Sequence, residues 1–260
     1  MEKLNPEQIA HITSICLKSN VTHHYDEKSD TLTLNGILKS AGETKATILE
    51  YLLKNTHVSS LSFPKEWVPQ TNPIETPNVP KDSPEWQIVE THFKKTLPQS
   101  TITSIQRIQN QILWERYSNN SRFMTKRLGP KTNEQYLFHG TSKTDPSLIY
   151  ASDTGFDMRY CTSGMWGIAI YFAVNASYST NYCYTTPTGE KQMFLAQVLV
   201  GEDYATLPDN KLKKPPLKQV DSGGIRQDYD SVSGETGNSK VYMIYENGRA
   251  YPKYLISYKI

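Results

Sequence analysis

From residue 136 to its end this chain keeps its apolar residues in short runs, at 136–139, 169–173, 193–200, 241–245 and 254–258, separated by turn-rich stretches. Short runs rich in Val, Ile, Phe and Tyr read as strands, because a pleated, half-buried surface suits branched and aromatic side chains. Helical spacing is confined to the earlier part of the chain. The two patterns together predict an α+β protein, a mixed-sheet body with its helices clustered early.

The earlier part divides in three. Over residues 6–18 the positions Ile9, Ile12, Ile15 and Cys16 have helical spacing. Residues 21–25 and 31–34 read as two short strands around Glu27-Lys28-Ser29-Asp30, with Asn35-Gly36 closing the second. Residues 40–54 read as a helix with Ile48, Leu49, Leu52 and Leu53 as its apolar face. This gives a small α-β-β-α module over 1–60, which is marginal as an independent core. It resembles the second half of a KH-type module but lacks the Gly-x-x-Gly loop that grips nucleic acid, so a packing or protein-contact role is favoured over RNA binding. Pro64, Pro69, Pro73, Pro77 and Pro80 then predict an extended linker over 61–82. The remainder, 83–260, opens on Ser83-Pro84-Glu85-Trp86, a capping serine, a proline in the first turn and an acid at the positive helix end. Trp86, Val89 and Phe93 form the apolar stripe of that helix. Residues 102–108 are ambiguous between helix and strand, and Asn110 caps a helix running to about Arg122. Residues 84–134 are too few to hold a helical regulatory insert besides these elements.

A formal net charge of +2 gives no global drive toward nucleic acid or membrane. No apolar run approaches the roughly 20 residues needed to span a bilayer, and the opening Met1-Glu2-Lys3-Leu4-Asn5-Pro6 lacks the apolar core of a signal peptide. Three unpatterned cysteines, Cys16, Cys161 and Cys183, argue against a disulfide framework and a zinc module, and an intracellular, reducing compartment is expected. His23 and His24 are adjacent on a predicted strand and face opposite sides, so no metal site is expected there.

The chemistry-bearing residues are Tyr136-Leu137-Phe138-His139-Gly140-Thr141, Ile170-Tyr171-Phe172-Ala173 and Ser177-Tyr178-Ser179-Thr180-Asn181-Tyr182. Singly, each has an ordinary structural reading: a satisfied histidine at a strand end, a half-buried strand tyrosine, a helix-surface serine. Jointly they suit a flat aromatic amide clamped between tyrosines and held by one backbone amide and one hydroxyl. Gly140 lets a ligand approach the main chain, and Ser179 and Tyr182, three apart, share a helix face. Nicotinamide, the leaving end of NAD, is such an amide.

Residues 83–260 resemble the catalytic domain of the poly(ADP-ribose) polymerase superfamily, the diphtheria-toxin-like ADP-ribosyltransferases. The resemblance runs in order through Arg107-Ile108-Gln109-Asn110 with Leu113-Trp114, Leu137 to Thr141, Gly155-Phe156, Tyr171 to Ser179, Tyr229-Asp230-Ser231-Val232 and Ala250 to Ile256. It is closest to the mono-ADP-ribosylating branch. The implied fold is two packed mixed or antiparallel sheets with flanking helices. The implied substrate is NAD, with no metal. His139 would bind a hydroxyl of the nicotinamide ribose. Gly140 and Ser179 would hold the carboxamide, with Thr141 beside them. Tyr182 would stack on the ring against Tyr171, and Arg159 would lie along the ADP half.

Two departures matter. Aligning the closing motif places Val241 where polymerising members carry their third catalytic residue, a glutamate. A valine has no acceptor to polarise an incoming ribose hydroxyl. Glu246, taken as five residues further on the same strand, would face the other side and lie about 16 Å away. Transfer of a single ADP-ribose to a protein Asp or Glu, the protein itself included, is therefore expected. The alternative is a binding module that keeps the NAD pocket without turnover. The second departure is Ala169, where relatives commonly have glycine; a positive φ there would be strained. Finally, 201–240 reads as a long polar stretch containing Lys211-Leu212-Lys213-Lys214-Pro215-Pro216-Leu217-Lys218, a basic loop in the family's acceptor region. It suits a solvated role, or else acidic partners or nucleic-acid phosphate.

Overall fold

The computed structural model describes residues 4, 6–56, 62–220, 223–224 and 226–260. The chain divides into two compact units, Met1–Phe63 and Pro64–Ile260. The first runs α1 (Pro6–Lys18), β1 (Thr22–Asp26), β2 (Thr31–Asn35) and α2 (Leu38–Thr56), with β1 and β2 antiparallel. Ile12, Cys16 and Ile48 form its buried centre, with Ile15, Leu32, Leu34 and Leu52 packed around them. Leu49, expected on the buried face of α2, is instead exposed, because one residue turns a helix by about 100°. The opening residues 1–3 and the side chain of Leu53 lie outside the described residues.

The second unit runs β3 (Ile74–Glu75), α3 (Pro84–Lys94), β4 (Thr101–Arg107), β5 (Gln109–Asn110), α4 (Gln111–Leu128), β6 (Glu134–His139), α5 (Ser147–Tyr150), β7 (Ser163–Gly164) and β8 (Gly167–Ile168). It continues through β9 (Ile170–Ala173), α6 (Ala176–Ser179), β10 (Tyr184–Thr185), β11 (Lys191–Leu199), β12 (Asp203–Ala205), β13 (Leu217–Val220), β14 (Arg226–Asp228), β15 (Ser231–Thr236), β16 (Ser239–Ile244) and β17 (Ala250–Lys259). The ambiguous segment 102–108 is thus a strand up to Arg107, and among the described residues the polar stretch 201–240 holds the four short strands β12 to β15 and the start of β16. Both expected caps form. Ser83 Oγ accepts from Trp86 N at 3.1 Å, and Asn110 Oδ1 accepts from Leu113 N at 3.1 Å.

The proline-rich segment does not run as a free linker. From Pro64 it lies on the second unit as an extended strap. There β3 pairs with β5, Val79 is buried, and Arg107 N donates to Pro77 O at 2.9 Å. Proline lacks an N–H but keeps its carbonyl, so a proline-rich edge can still accept from a neighbouring strand.

Among the described residues the large sheet has nine strands, ordered β12-β15-β16-β9-β6-β11-β17-β4, with β10 on β11. All neighbours are antiparallel except β12 and β15, which makes the sheet mixed. The two expected sheets are the halves of this one. They meet where β6 and β9 share a single residue pair, Phe138 with Ala173, whereas β11 pairs with β6 continuously from Phe194–His139 to Leu199–Glu134. On one side Val89 and Phe93 of α3 pack with Leu195, Ile256 and Tyr258. A second core gathers Leu137, Phe156, Phe172 and Phe194 close to the seam. Arg107, buried, holds Glu85 through Nε at 2.8 Å and Nη2 at 2.6 Å, and Tyr254 donates to the same carboxylate. Among the described residues no helix is long and apolar enough to cross a membrane.

Candidate active site

The seam opens a cleft because two strands that share one pair must splay beyond it. His139, last in β6, spans the gap with its side chain. Its Nδ1 lies 2.8 Å from the Tyr171 carbonyl oxygen of β9. A carbonyl only accepts, so Nδ1 carries the proton and Nε2 of the neutral ring is an acceptor. The imidazole packs edge-on against Phe156 with centroids 4.9 Å apart, and against Phe172 at 5.3 Å. Burial pushes its pKa below the ordinary 6.5, outweighing the hydrogen bond to Tyr171.

Gly140 is needed for a reason the sequence reading did not give. A Cβ there would lie 2.4 Å from the Tyr182 carbonyl oxygen and 2.9 Å from that of Ser179. The main chains of 140–142 and 179–182 are pressed together, and Ser142 N donates to Tyr182 O at 2.6 Å. Thr141 lines the cleft, but its hydroxyl is committed to Thr144 O at 2.6 Å.

Tyr171 is fixed at its hydroxyl by two hydrogen bonds. Its hydroxyl donates to Gly167 O at 2.9 Å and accepts from Trp166 N at 2.8 Å, and burial raises its pKa. The phenol is therefore a wall, not a base. Trp166 is the hub behind it: its carbonyl accepts from Tyr245 Oη at 2.6 Å, and its indole donates to Thr206 O at 3.1 Å. The turn that carries these groups is tight at Gly167, whose φ is +75° and whose added Cβ would meet Leu212 O at 1.8 Å. Ala169, by contrast, is not among the residues with positive φ, so its methyl is harmless and packs in the cluster of Trp166 and Val241.

Ser179 ends α6, and Tyr182 follows in a 3-10 turn, so the helix expected to carry both stops before Tyr182. Ser179 is 3% exposed and lines the cleft. Tyr182 is half-exposed, its ring 5.5 Å from that of Tyr178. The Tyr178 phenol is pushed up to about 12 by burial and by its contact with Tyr182.

These residues line one cavity of about 880 Å³ that includes His139, Gly140, Tyr171, Ser179, Tyr182 and Val241, and extends along the loop 152–166. That volume lies within the range of about 300–1,000 Å³ usual for cofactor-sized ligands. A cavity-lining serine, an exposed tyrosine face and an acceptor imidazole nitrogen suit an amide-bearing ring on a sugar. Arg159 also lines the cavity, but its guanidinium is held by Asp157 at 2.5 Å, which lowers that carboxyl to about 2. Its charge toward an ADP moiety is thus already matched.

Val241 lies on β16 opposite Ala173 and is 1% exposed among Trp166, Ala173 and Met243. The strand ends at Ile244, so Glu246 is not on it as expected. Glu246 sits in the following turn, 2.9 Å from Arg249, and is absent from the cavity lining. The sequence reading missed Phe156, Tyr178, Trp166 and Tyr245 as site-shaping residues. Phe156 and Tyr178 stood inside motifs already singled out, whereas the Trp166 hub leaves no periodic signal.

Residues 83–260 match the poly(ADP-ribose) polymerase catalytic domain. A probable poly(ADP-ribose) polymerase of Dictyostelium discoideum is 37% identical over 211 residues, 76% of this chain and 57% of that protein. The protein mono-ADP-ribosyltransferase PARP11 of Mus musculus is 30% identical over 230 residues, 80% of this chain and 67% of its own. The protein mono-ADP-ribosyltransferase PARP12 of Mus musculus is 34% identical over 203 residues, 76% of this chain and 27% of its own. This chain thus spans little more than half of the first relative and a smaller part of the last.

Proposed function

The chain belongs to the poly(ADP-ribose) polymerase catalytic-domain family, and on that premise we propose that it is an NAD-dependent protein mono-ADP-ribosyltransferase. It passes one ADP-ribose to an acceptor carboxylate and releases nicotinamide. The observation that carries this reading is a single cavity lined by His139, Gly140, Tyr171, Ser179, Tyr182 and Val241.

The residues divide the work. Gly140 and Ser179 hold the carboxamide, and the rings of Tyr171 and Tyr182 flank the pyridinium. The acceptor Nε2 of His139 takes a ribose hydroxyl. Fixing both ring and sugar orients the glycosidic bond between them, which is where binding turns into rate. The C1–N bond to nicotinamide breaks, and its electron pair neutralises the pyridinium nitrogen. The acceptor oxygen forms the new C1–O bond.

What the cavity lacks selects the acceptor. The Tyr171 phenol is doubly bonded, Asp157 is bound to Arg159, burial pushes the Cys161 thiol up to about 11, and Asp153 is exposed beside Arg116. With His139 Nε2 engaged by the ribose hydroxyl, no other lining group among the described residues is placed to take a proton from an alcohol or amine. A carboxylate needs no such help, because it is ionised well above its ordinary pKa of about 4. The product is an ester of a single ADP-ribose, since Val241 gives the chain no group to activate a second sugar.

The test is incubation with labelled NAD, followed by mass spectrometry of the modified protein. The expected outcome is label on itself or on an added acceptor, as single hydroxylamine-labile units, lost in His139→Ala. Multi-unit or branched adducts would overturn single transfer. NAD binding without any label would make the protein a binding module.

A further inference from the structure

We propose that a second pocket, where the strap and α3 meet the sheet, binds a small apolar carboxylate, and that Lys253 is its anchor. The proposal stands apart from the transferase reading, because this pocket and the cleft around His139 share no lining residue.

The pocket has a volume of about 250 Å³. Ile88 of α3, Tyr136 of β6, Leu195 of β11, and Lys253 and Tyr254 of β17 line it, together with Glu66, exposed on the strap. Lys253 and Tyr254 are neighbours in a strand, where successive side chains point to opposite faces. Both reach the same pocket because β17 is bulged there. Leu195 lies opposite Tyr254 and Gln197 opposite Tyr251, so Pro252 and Lys253 together face Ala196. A bulge re-aims a side chain, and this one turns an ammonium toward the face that carries α3.

The charges behind the pocket do not cancel. Glu85 is matched, since Arg107 holds its carboxylate through two nitrogens and Tyr254 donates to it at 2.9 Å. Lys253 is only 7% exposed and, among the described residues, forms no ion pair. Its Nζ donates to Tyr136 Oη at 2.8 Å and lies 5.1 Å from the ring centroid of Tyr136 and 5.7 Å from that of Tyr254. A hydroxyl and two ring faces supply partial charge only, and an ammonium has three donors to satisfy. A buried cation without a counter-charge is costly. The site is therefore short of one negative charge.

The rest of the lining selects the kind of anion. Glu85 and Glu66 both act on the Tyr254 phenol and raise it, so a dianion such as phosphate is repelled while a single carboxylate is matched by Lys253. Ile88, Leu195 and the two tyrosine rings receive an apolar body. At about 30 Å³ for each water-sized group, the volume takes roughly eight non-hydrogen atoms, the size of hexanoate.

The test is amide NMR of the full chain titrated with hexanoate, with uncharged hexanamide and inorganic phosphate as comparisons. The expected result is saturable shifts at Tyr136, Leu195, Lys253 and Tyr254, with a Kd of about 1 mM. Binding should weaken roughly 10- to 100-fold for hexanamide, and for hexanoate in Lys253→Met. Ile88 is 55% exposed on α3, and glutamate and lysine are similar helix formers, so its charge can be changed without disturbing the interior. Ile88→Glu should weaken hexanoate by roughly two- to fivefold and Ile88→Lys should strengthen it by as much. Equal affinity for hexanoate and hexanamide, tighter binding of phosphate, or no response to the sign of the charge at 88 would overturn the proposal. Shifts confined to Gly140, Thr141 and Ser142 would overturn it too, by placing the ligand in the cleft around His139.

Discussion

Val241 and His139 set the chemical limits of the site. Val241 is enclosed by Trp166, Ala173 and Met243. A carboxylate introduced there is taken from water without an ion-pair partner, so it is held protonated or it strains the cluster. Val241→Glu is expected to lower unfolding free energy by about 1–3 kcal/mol, read as a lower denaturation midpoint, while its product stays a single ADP-ribose by mass spectrometry. His139 gives a pH prediction of definite sign. Its folded pKa is depressed by burial from 6.5, so the unfolded chain binds the proton more readily. The stability it contributes is fully present above 6.5 and is lost as pH falls through the folded value. NAD affinity falls over the same window, because a protonated Nε2 no longer accepts. Calorimetry and thermal melting from about pH 7.5 to about pH 5 should show both declines, and His139→Gln should flatten the affinity profile.

The element that organises the cleft is the turn joining β7, β8 and β9. At Gly167 the backbone is left-handed and the approach of Leu212 O excludes any side chain. Gly167→Ala is expected to cost about 2 kcal/mol or more, since positive φ alone costs about 1–2 kcal/mol and the contact adds to it. Hydrogen exchange at Ile168 N should rise sharply in this variant, and faster exchange elsewhere only would contradict the account. This turn also shows what a sequence can and cannot convey. The caps at Ser83 and Asn110, the strands around His139 and Tyr171, and the set His139, Gly140, Tyr171, Ser179 and Tyr182 are encoded locally or in short motifs, and all are legible. The partner of each strand is not. Neither period nor composition tells that β6 and β9 share one residue pair, that the prolines of 64–80 lie along the second unit, or that Leu212 sits against Gly167 from 45 positions away. The Glu246 reading failed for the same reason: the end of β16 is set by the turn into β17, and apolarity continued one residue past it, to Tyr245.

At the scale of the whole molecule, the strap decides where the catalytic body begins. The family match starts at residue 83, yet the compact unit starts at Pro64. Gln109, fully buried, has its side-chain amide satisfied by Val68 O and Gln70 Oε1, and its oxygen accepts from Val68 N, at 2.9–3.0 Å. Val79 is buried in the core beneath α3, and Trp67 packs against Trp114 and Tyr251. Removing residues 1–82 would leave Gln109 buried with fewer partners, at about 1–3 kcal/mol, and would lose roughly 1.5–3 kcal/mol from Val79 alone. Those losses are a large share of a total stability of about 5–15 kcal/mol. A chain of residues 64–260 should therefore melt cooperatively and bind NAD as the full chain does. A chain of residues 83–260 should melt at a much lower temperature or fail to fold, although it contains His139, Tyr171, Ser179 and Tyr182. Equal melting temperatures for the two shortened chains would mean that the strap is incidental to the body, and would move the functional boundary to the start of α3.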